Sequence, residues 1–341
     1  MKNLIEVQKK IIPQAIDLME KRYAILRQIN ISQPIGRRML SSVLNLSERT
    51  TRTEIDFLKE HKFINIDVSG MTITSEGKEV LENLETVMGE IMGISDMEEK
   101  LRELLGIKDV VIAKKVGENS LKSVAKAAAE YLLKKINGDD IIAIAGGSTM
   151  RELAENIDTN TGFEGVKILP TRGSVGAEID LQANSIAALT AKKLGSQVDF
   201  LYIPDNLDGN ARHTLMSVPD IKRTLDDLKK ADKIFFSIGR ADVMAQRRGM
   251  SQEEIDLLKE KQAVGEAFGY YFDRDGQIAM KLNTVGIDID MYKNSENASL
   301  VFSGKDKVDA FLALYKMNKN LNLITDEECA KELINRLSKQ G

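Results

Sequence analysis

Residues 141–150 have the sequence IIAIAGGSTM, in which an apolar run leads directly into two glycines and two residues with side-chain hydroxyls. The apolar run is typical of a strand buried on both faces, and a helical pattern follows over 149–156. Glycines let the backbone approach a ligand, and the free N–H groups at the start of a helix attract an anion. The stretch therefore predicts a strand, a loop able to bind phosphate, and a helix.

The alternation of strand and helix continues on both sides of this stretch, over 107–341. Helical patterns separate most of the apolar runs, which indicates a doubly wound α/β domain whose parallel sheet is covered on both faces. Asp275-Gly276 fits a hairpin turn between 270–272 and 277–280. The predicted strands of the parallel sheet are 110–113, 141–145, 166–170, 200–203, 233–238, 299–302 and 321–324.

Glycine, hydroxyl and cationic residues follow four of these strands, where ligands of parallel sheets bind. An arginine can bind a phosphate through two parallel hydrogen bonds. In 264–269, the carboxylate of Glu266 is able to accept hydrogen bonds from sugar hydroxyls. The pattern predicts a phosphorylated ligand at four segments: Gly146-Gly147-Ser148-Thr149, Thr171-Arg172-Gly173-Ser174-Val175-Gly176, Gly239-Arg240 with Gln246-Arg247-Arg248, and Ser303-Gly304-Lys305 with Lys307.

Several classes of protein are disfavoured by what the sequence lacks. No G-x-G-x-x-G follows a strand and no G-x-x-x-x-G-K-[ST] loop is present, so we expect no nucleotide cofactor. The chain has two histidines and one cysteine, Cys329, so we expect no zinc site. A single cysteine also cannot form an internal disulfide. The charged N-terminus lacks a signal-peptide core, and no apolar run approaches the roughly 20 residues that span a bilayer. We expect a cytoplasmic protein with no membrane partner.

The charge is unevenly distributed along the chain. Residues 1–62 contain 12 Lys and Arg against 7 Asp and Glu, although the whole chain has a formal net charge of −4. A basic N-terminal end followed by an acidic remainder suggests that the N-terminal end meets a polyanion.

The N-terminal pattern fits a winged helix-turn-helix domain over 1–75. Helical spacing of apolar residues predicts helices at 14–29, 37–44 and 48–61, with Ser47 as the N-cap of the third. Two alternating runs around Ser69-Gly70 then predict a β-hairpin.

A recognition helix of this kind places its N-terminal residues in the major groove. We expect Arg49, Thr50 and Arg52 at base edges, within a first turn that also includes Ser47 and Thr53. Arg37 and Arg38 are expected to bind phosphates of double-stranded DNA. The alternative is a small helical domain whose arginines are only solvated.

Residues 76–106 form one or two predicted helices between the domains. Apolar residues from Val80 to Ile91 keep helical spacing. They are expected either to pack against the C-terminal domain at 107–341 or to form a dimer seam that sets the distance between two DNA-binding domains.

Five segments carry a resemblance to a known family over essentially the full length: 34–38 (PIGRR), 46–49 (LSER), 146–149 (GGST), 244–248 (MAQRR) and 266–272 (EAFGYYF). With these segments, the chain resembles the SorC-type transcriptional regulators of bacteria. The resemblance implies a C-terminal domain similar to the sugar-phosphate isomerase and glucosamine-phosphate deaminase fold.

The resemblance also implies a function. The implied protein is a repressor of a glycolytic operon. A sugar phosphate, fructose-1,6-bisphosphate, is expected to release this repressor from its operator. Two DNA-binding domains would match repeated half-sites, so a homodimer or homotetramer is expected. The family's contacts to phosphate and sugar fall here on Ser148, Thr149, Arg172, Gly173, Arg247, Glu266 and Lys307. Ser303 and Asp306 depart from the family's pattern near Lys307.

A different class of function is an isomerase or deaminase acting on sugar phosphates. Such an enzyme needs a general base and a partner acid. His61 closes the third predicted helix and His213 lies in a polar loop, so neither suits this role. A basic DNA-binding domain has no use in such an enzyme, and we expect a regulator without catalytic residues.

Overall fold

The computed structural model describes residues 11–91, 93–113, 120–159, 162–173, 178–204 and 209–339, together with residues 7 and 207. The chain divides into two compact units. The first unit comprises Met1–Lys100 and Ala113–Ser123, and the second comprises Leu101–Ile112 and Val124–Gly341.

Among the described residues, the first unit contains three helices, a β-hairpin and a further helix, in the predicted order of a winged helix-turn-helix. A helix that begins at Ile94 continues into the second unit. The elements are α1 (Pro13–Ser32), α2 (Arg37–Val43), α3 (Glu48–Glu60), β1 (Ile64–Asp67), β2 (Gly70–Ile73), α4 (Ser75–Ile91) and α5 (Ile94–Leu105).

Side chains from all of α1 to α4 build the core of the first unit. Ile29, Leu40 and Ile55 are buried there, and each such side chain contributes about 1.5 to 3 kcal/mol on burial. On α4, Leu81 and Met88 are buried in the same cluster, and Val80, Leu84 and Val87 pack against it. These described apolar residues of α4 therefore complete the core of the first unit, whereas the sequence predicted that they pack against the C-terminal domain or form a dimer seam.

The second unit is an α/β domain, as predicted. Seven strands form its main sheet in the order β3-β13-β12-β7-β4-β5-β6, and the five pairings from β13 to β6 are parallel. These strands are β3 (Asp109–Ala113), β4 (Ile141–Ile144), β5 (Lys167–Pro170), β6 (Gln197–Val198), β7 (Lys233–Phe236), β12 (Ala298–Val301) and β13 (Leu321–Asp326). The helices are α6 (Ser120–Lys135), α7 (Ser148–Glu155), α8 (Ala183–Leu194), α9 (Gly209–Met216), α10 (Pro219–Leu228), α11 (Ala241–Arg247), α12 (Gln252–Glu260), α13 (Ile289–Asn294), α14 (Val308–Leu314) and α15 (Glu327–Leu337).

The order of strands reverses direction at β4. The chain goes from β4 to β5 and β6 on one side and then crosses to β7, which pairs with β4 on the other side. A reversal of this kind opens a crevice at the carboxyl ends of the two strands, where ligands of open α/β sheets bind. The crevice therefore lies between the loops that follow β4 and β7.

A small antiparallel sheet adjoins this crevice. Its strands are β8 (Gly239–Arg240), β9 (Gly265–Ala267), β10 (Tyr270–Phe272) and β11 (Ile278–Lys281). The β10–β11 hairpin around Asp275-Gly276 confirms the predicted turn. Because β8 follows β7 after two residues and Gly239 pairs with Glu266, β9 is held beside the carboxyl end of β7.

One predicted strand, 200–203, is wrong. The paired strand is β6, which precedes it, and the side chain of Asn184 on α8 bonds the backbone of Leu201 instead. Its Oδ1 accepts from the Leu201 N–H at 3.0 Å, and its Nδ2 donates to the Leu201 carbonyl at 3.1 Å. A side-chain amide thus satisfies the backbone groups that a neighbouring strand would satisfy.

Candidate functional site

The loop after β4 has the predicted form. Gly147 has φ 104°, a conformation that favours glycine, and its N–H donates to the carbonyl of Leu181 at 2.9 Å. α7 begins at Ser148, which is exposed, and Thr149 is buried. The first amides of α7 have no partner within the helix, which makes this end suitable for an anion.

The loop after β5 is fixed by a distant segment. The N–H of Gly173 donates to the carbonyl of Val285 at 3.1 Å, and the N–H of Ile287 donates to the carbonyl of Thr171 at 2.7 Å. Arg172, between these bonds, is half-buried. Two other predicted site residues, Ser174 and Gly176, lie outside the described residues.

The loop after β12 contains Lys307, which is half-buried. Burial lowers the pKa of Lys307, the charge of Arg247 adds to this lowering, and the carboxylate of Asp306 opposes it. Arg240 lies 3.3 Å from Asp306 and 2.5 Å from Asp242, so its guanidinium group is shared between two carboxylates. Asp306, which departs from the family's pattern, is therefore only partly paired.

The side chains of two consecutive arginines at the end of α11 have different environments. Arg247 is exposed, and its charge acts on Lys307. Arg248 is largely buried, and its Nη2 lies 2.8 Å from Oε1 of Glu266. The N–H of Gly269 donates to the same oxygen at 2.9 Å. Sequence reasoning missed Arg248, because the pattern Gln246-Arg247-Arg248 does not show which arginine faces inward.

The sheet order brings these loops to one edge. The loops containing Lys307, Arg247, Thr149 and Arg172 follow β12, β7, β4 and β5, which are consecutive in the sheet. The loops after β12 and β4 are two strand spacings apart, about 10 Å. Cations and a helix start are thus distributed along a short edge, with Glu266 beside them.

The first turn of α3 presents arginines to solvent. The side chain of Ser47 accepts from the N–H of Thr50 at 3.1 Å, which confirms the predicted N-cap. Its hydroxyl is 2.8 Å from that of Thr50, and the Thr53 hydroxyl donates to the Arg49 carbonyl at 3.1 Å. These three hydroxyls are therefore engaged with their own helix.

The basic residues of this surface are available for contacts. Arg37, Arg38, Arg49 and Arg52 are all exposed. Arg52 lies 3.9 Å from Asp56 across one helical turn, a surface pair of small energetic value. These four arginines therefore present their charges to solvent.

No group of three or more potential metal ligands occurs among the residues that the structure describes. Within the same part of the chain, no helix has both the length and the apolar character that crossing a membrane requires.

Two family models divide the chain between them. Residues 18–88 match the model described as "CggR N-terminal DNA binding domain", and residues 89–335 match the one described as "Putative sugar-binding domain". A DNA-binding domain joined to a sugar-binding domain defines a class of transcriptional regulators.

The chain belongs to the SorC family of these regulators. It is 36% identical over 337 residues to the central glycolytic genes regulator of Bacillus subtilis, covering 98% of this chain and 99% of that one. It is 38% identical over 338 residues to the regulator of the same name from Priestia megaterium, with coverage of 98% and 99%.

Solved structures agree with the fold. A regulator assigned to the SorC family from Enterococcus faecalis has a TM-score of 0.64 and 32% identity, over 70% of this chain and 99% of that one. The full-length sorbitol operon regulator SorC from Klebsiella pneumoniae has a TM-score of 0.66 over 94% of this chain and 98% of its own. At 19% identity, this second likeness concerns the fold alone. Because the relatives over the full length are regulators, the protein is a regulator and not a sugar-phosphate isomerase or deaminase.

Proposed function

We propose that this protein represses a glycolytic operon and that a phosphorylated sugar, fructose-1,6-bisphosphate, weakens its binding to the operator. The names of the relatives support the glycolytic target. The observation that carries the effector class is the sheet edge at which Arg172, Arg247 and Lys307 accompany the start of α7. Three cations and a helix start suit a ligand with two phosphates better than a neutral sugar.

Each residue at this edge has a proposed role. The amides and hydroxyls of Ser148 and Thr149 bind one phosphate, together with Arg172. Gly147 and Gly173, whose own N–H groups are engaged, let the backbone approach this phosphate. Arg247 and Lys307 bind the other phosphate, and Glu266 accepts hydrogen bonds from sugar hydroxyls. Ser174 and Gly176 remain proposed members of the loop after β5 on the basis of the sequence.

In the DNA-binding domain, we assign base contacts to Arg49, Thr50 and Arg52. Arg37 and Arg38 at the start of α2 bind phosphates, and Ser47 and Thr53 support the first turn of α3. The exposure of the arginines supports this assignment. The hydroxyls of Thr50 and Thr53 are engaged within α3, so the arginines carry most of the sequence recognition.

The proposed domains are 1–75 for DNA binding, 76–106 as a linking segment and 107–341 for effector binding. The protein acts as a homodimer or homotetramer, because two DNA-binding domains match a repeated operator. The apolar residues of α4 belong to the core of the first unit. A seam between copies in 76–106 would therefore use α5, where Leu104 is exposed.

An effector weakens DNA binding only if it binds the DNA-free and DNA-bound arrangements unequally, and this coupling is reciprocal. Operator DNA should therefore weaken effector binding by the same factor. The test is a gel-shift assay with DNA from upstream of a glycolytic operon, across a panel of glycolytic phosphates. Release by a bisphosphate at concentrations where monophosphates have no effect supports the proposal, and release by none of them contradicts it.

A further inference from the structure

We propose that Arg248 is a positioning residue that holds Glu266 for sugar hydroxyls, so that two adjacent arginines divide recognition of the effector. Arg247 binds phosphate, whereas Arg248 acts through Glu266 and determines the preference for a sugar over other bisphosphates. This inference rests on the proposed function and adds a residue that the resemblance does not assign.

The two bonds to Glu266 end on one oxygen. Arg248 Nη2 is 2.8 Å from Oε1, and the N–H of Gly269 donates to Oε1 at 2.9 Å. Among the described residues, no hydrogen-bond donor is bonded to Oε2. The side chain of Glu266 is only 6% exposed, and its oxygen Oε2 is left for a donor from outside the protein.

Arg248 fixes the orientation of this carboxylate through a charge-assisted hydrogen bond, with 2.8 Å between Nη2 and Oε1. Arg248 is 14% exposed, so the ion pair with Glu266 is shielded from water. Sugar hydroxyls donate hydrogen bonds, and an ionised carboxylate is the acceptor that suits them.

Further polar atoms beside this pair have no hydrogen-bond partner among the described residues. These atoms are the hydroxyl of Tyr271 and Nε of Arg248, and both are buried. Tyr271 pairs with Glu266 across β10 and β9, and the two residues influence each other electrostatically. Buried polar atoms without a protein partner are uncommon and are usually bonded to water, so the surroundings of Glu266 are polar.

The step from Arg247 to Arg248 explains how one segment serves both halves of the effector. Arg247 is the last residue of α11 and is exposed, and Arg248 is its C-cap. Consecutive residues on a helix differ by about 100° in direction, so the two guanidinium groups separate. One rigid helix end thus links phosphate binding to sugar binding.

The test measures binding to the full-length protein by calorimetry, with two probes. Fructose-1,6-bisphosphate carries sugar hydroxyls, and hexane-1,6-diyl bisphosphate carries two phosphates without them. We expect Arg248→Met and Glu266→Gln each to weaken binding of the sugar roughly tenfold to a hundredfold while binding of the alkyl probe stays within about twofold. The double variant should be no weaker than Glu266→Gln alone, because Arg248 acts only through Glu266.

Controls separate this role from a structural one. Arg223→Met removes an exposed arginine of the same unit and should leave both affinities unchanged. Arg248→Met could fail to fold because Glu266 is left unpaired. In that case the double variant and Arg248→Lys are compared instead. Loss of the preference for the sugar probe in the double variant, with part of that preference kept in Arg248→Lys, supports a positioning role.

The binding data distinguish failure of the positioning role from failure of the proposed function. Equal weakening of both probes by Arg248→Met, or an unchanged preference for the sugar, overturns the positioning role alone. Wild-type protein that binds neither probe instead contradicts the proposed function and this inference with it.

Discussion

Arg22 on α1 is paired with Glu54 on α3, with 2.7 Å between Nε and Oε2. The same guanidinium group lies 3.4 Å from the centre of the Phe57 ring. Glu54 is buried and Arg22 is 30% exposed, so the pair is shielded on one side only. The first helix thereby fixes the helix that presents Arg49 and Arg52.

Replacing Arg22 should therefore destabilise the DNA-binding domain. We expect Arg22→Met to lower the free energy of unfolding by about 1 to 3 kcal/mol, between the values for surface and buried pairs, because Glu54 is left without its cation. Chemical denaturation measures this loss. Arg22→Met/Glu54→Gln should recover part of the stability, and a double variant less stable than the single one would contradict the explanation.

Arg52→Ala should reduce operator affinity by about 1 to 3 kcal/mol while effector binding stays unchanged, because we propose that Arg52 contacts a base edge and it lies in a different unit from the proposed effector site. Fluorescence anisotropy with operator DNA measures the affinity. The affinity of the wild type should also fall steeply with salt, as phosphate contacts require. Equal loss of DNA and effector binding would indicate general unfolding instead.

Thr149→Val and Arg172→Ala should leave operator binding intact and blunt its release by the bisphosphate. Valine keeps the shape of threonine without the hydroxyl, and alanine removes a guanidinium group that can bind phosphate through two bonds. A gel shift titrated with effector reports the release. A variant that is released at the wild-type concentration would remove that residue from the site.

Lys307 should make effector binding dependent on pH. Burial lowers its pKa from the ordinary 10.5, so the ammonium group loses its proton at a lower pH than an exposed lysine does. A phosphate dianion favours the charged form and raises the pKa in the complex. Affinity should therefore be constant at neutral pH and fall as the pH rises through the lowered pKa, and calorimetry at increasing pH measures this.

The matched variant for this prediction is Lys307→Arg. An arginine stays charged throughout the accessible pH range, so the alkaline fall should vanish in this variant. A fall of the same size in both proteins would assign the titration to another group.

Gly286→Ala should disrupt the loop that carries Arg172. Gly286 has φ 146°, and a Cβ there would lie 2.1 Å from the carbonyl oxygen of Thr171. We expect a loss of about 2 to 4 kcal/mol in stability from strain and overlap, with weaker effector binding. Gly209→Ala is the control, since a Cβ at Gly209 meets nothing within 4 Å. Equal stability of the two variants in thermal unfolding would contradict a tight fit of Gly286 against Thr171.

Local signals in the sequence were sufficient for most of the architecture. Continuous apolar runs predicted the strands of the parallel sheet, because a strand buried on both faces needs apolar residues at every position. Ser47 was recognised as an N-cap, because a hydroxyl before an amphipathic segment satisfies an exposed amide. Both features depend on neighbours in the sequence.

Features that depend on distant partners were missed. The segment 200–203 has the composition of a strand, but Asn184 satisfies the Leu201 backbone. The motif Gln246-Arg247-Arg248 predicted a cation, but only the end of α11 determines that Arg248 turns inward to Glu266. Gly286 gave no signal, since its closeness to Thr171 arises only in the folded domain.

The backbone hydrogen bonds that join Gly173 to Val285 and Thr171 to Ile287 have a consequence for synthesis of the protein. A ribosome completes the N-terminal end of a chain first, and domains fold in that order. The DNA-binding domain is thus complete long before Val285 and Ile287 are translated. If the protein is the repressor we propose, a product terminated before Val285 should keep its target genes repressed at every concentration of the effector.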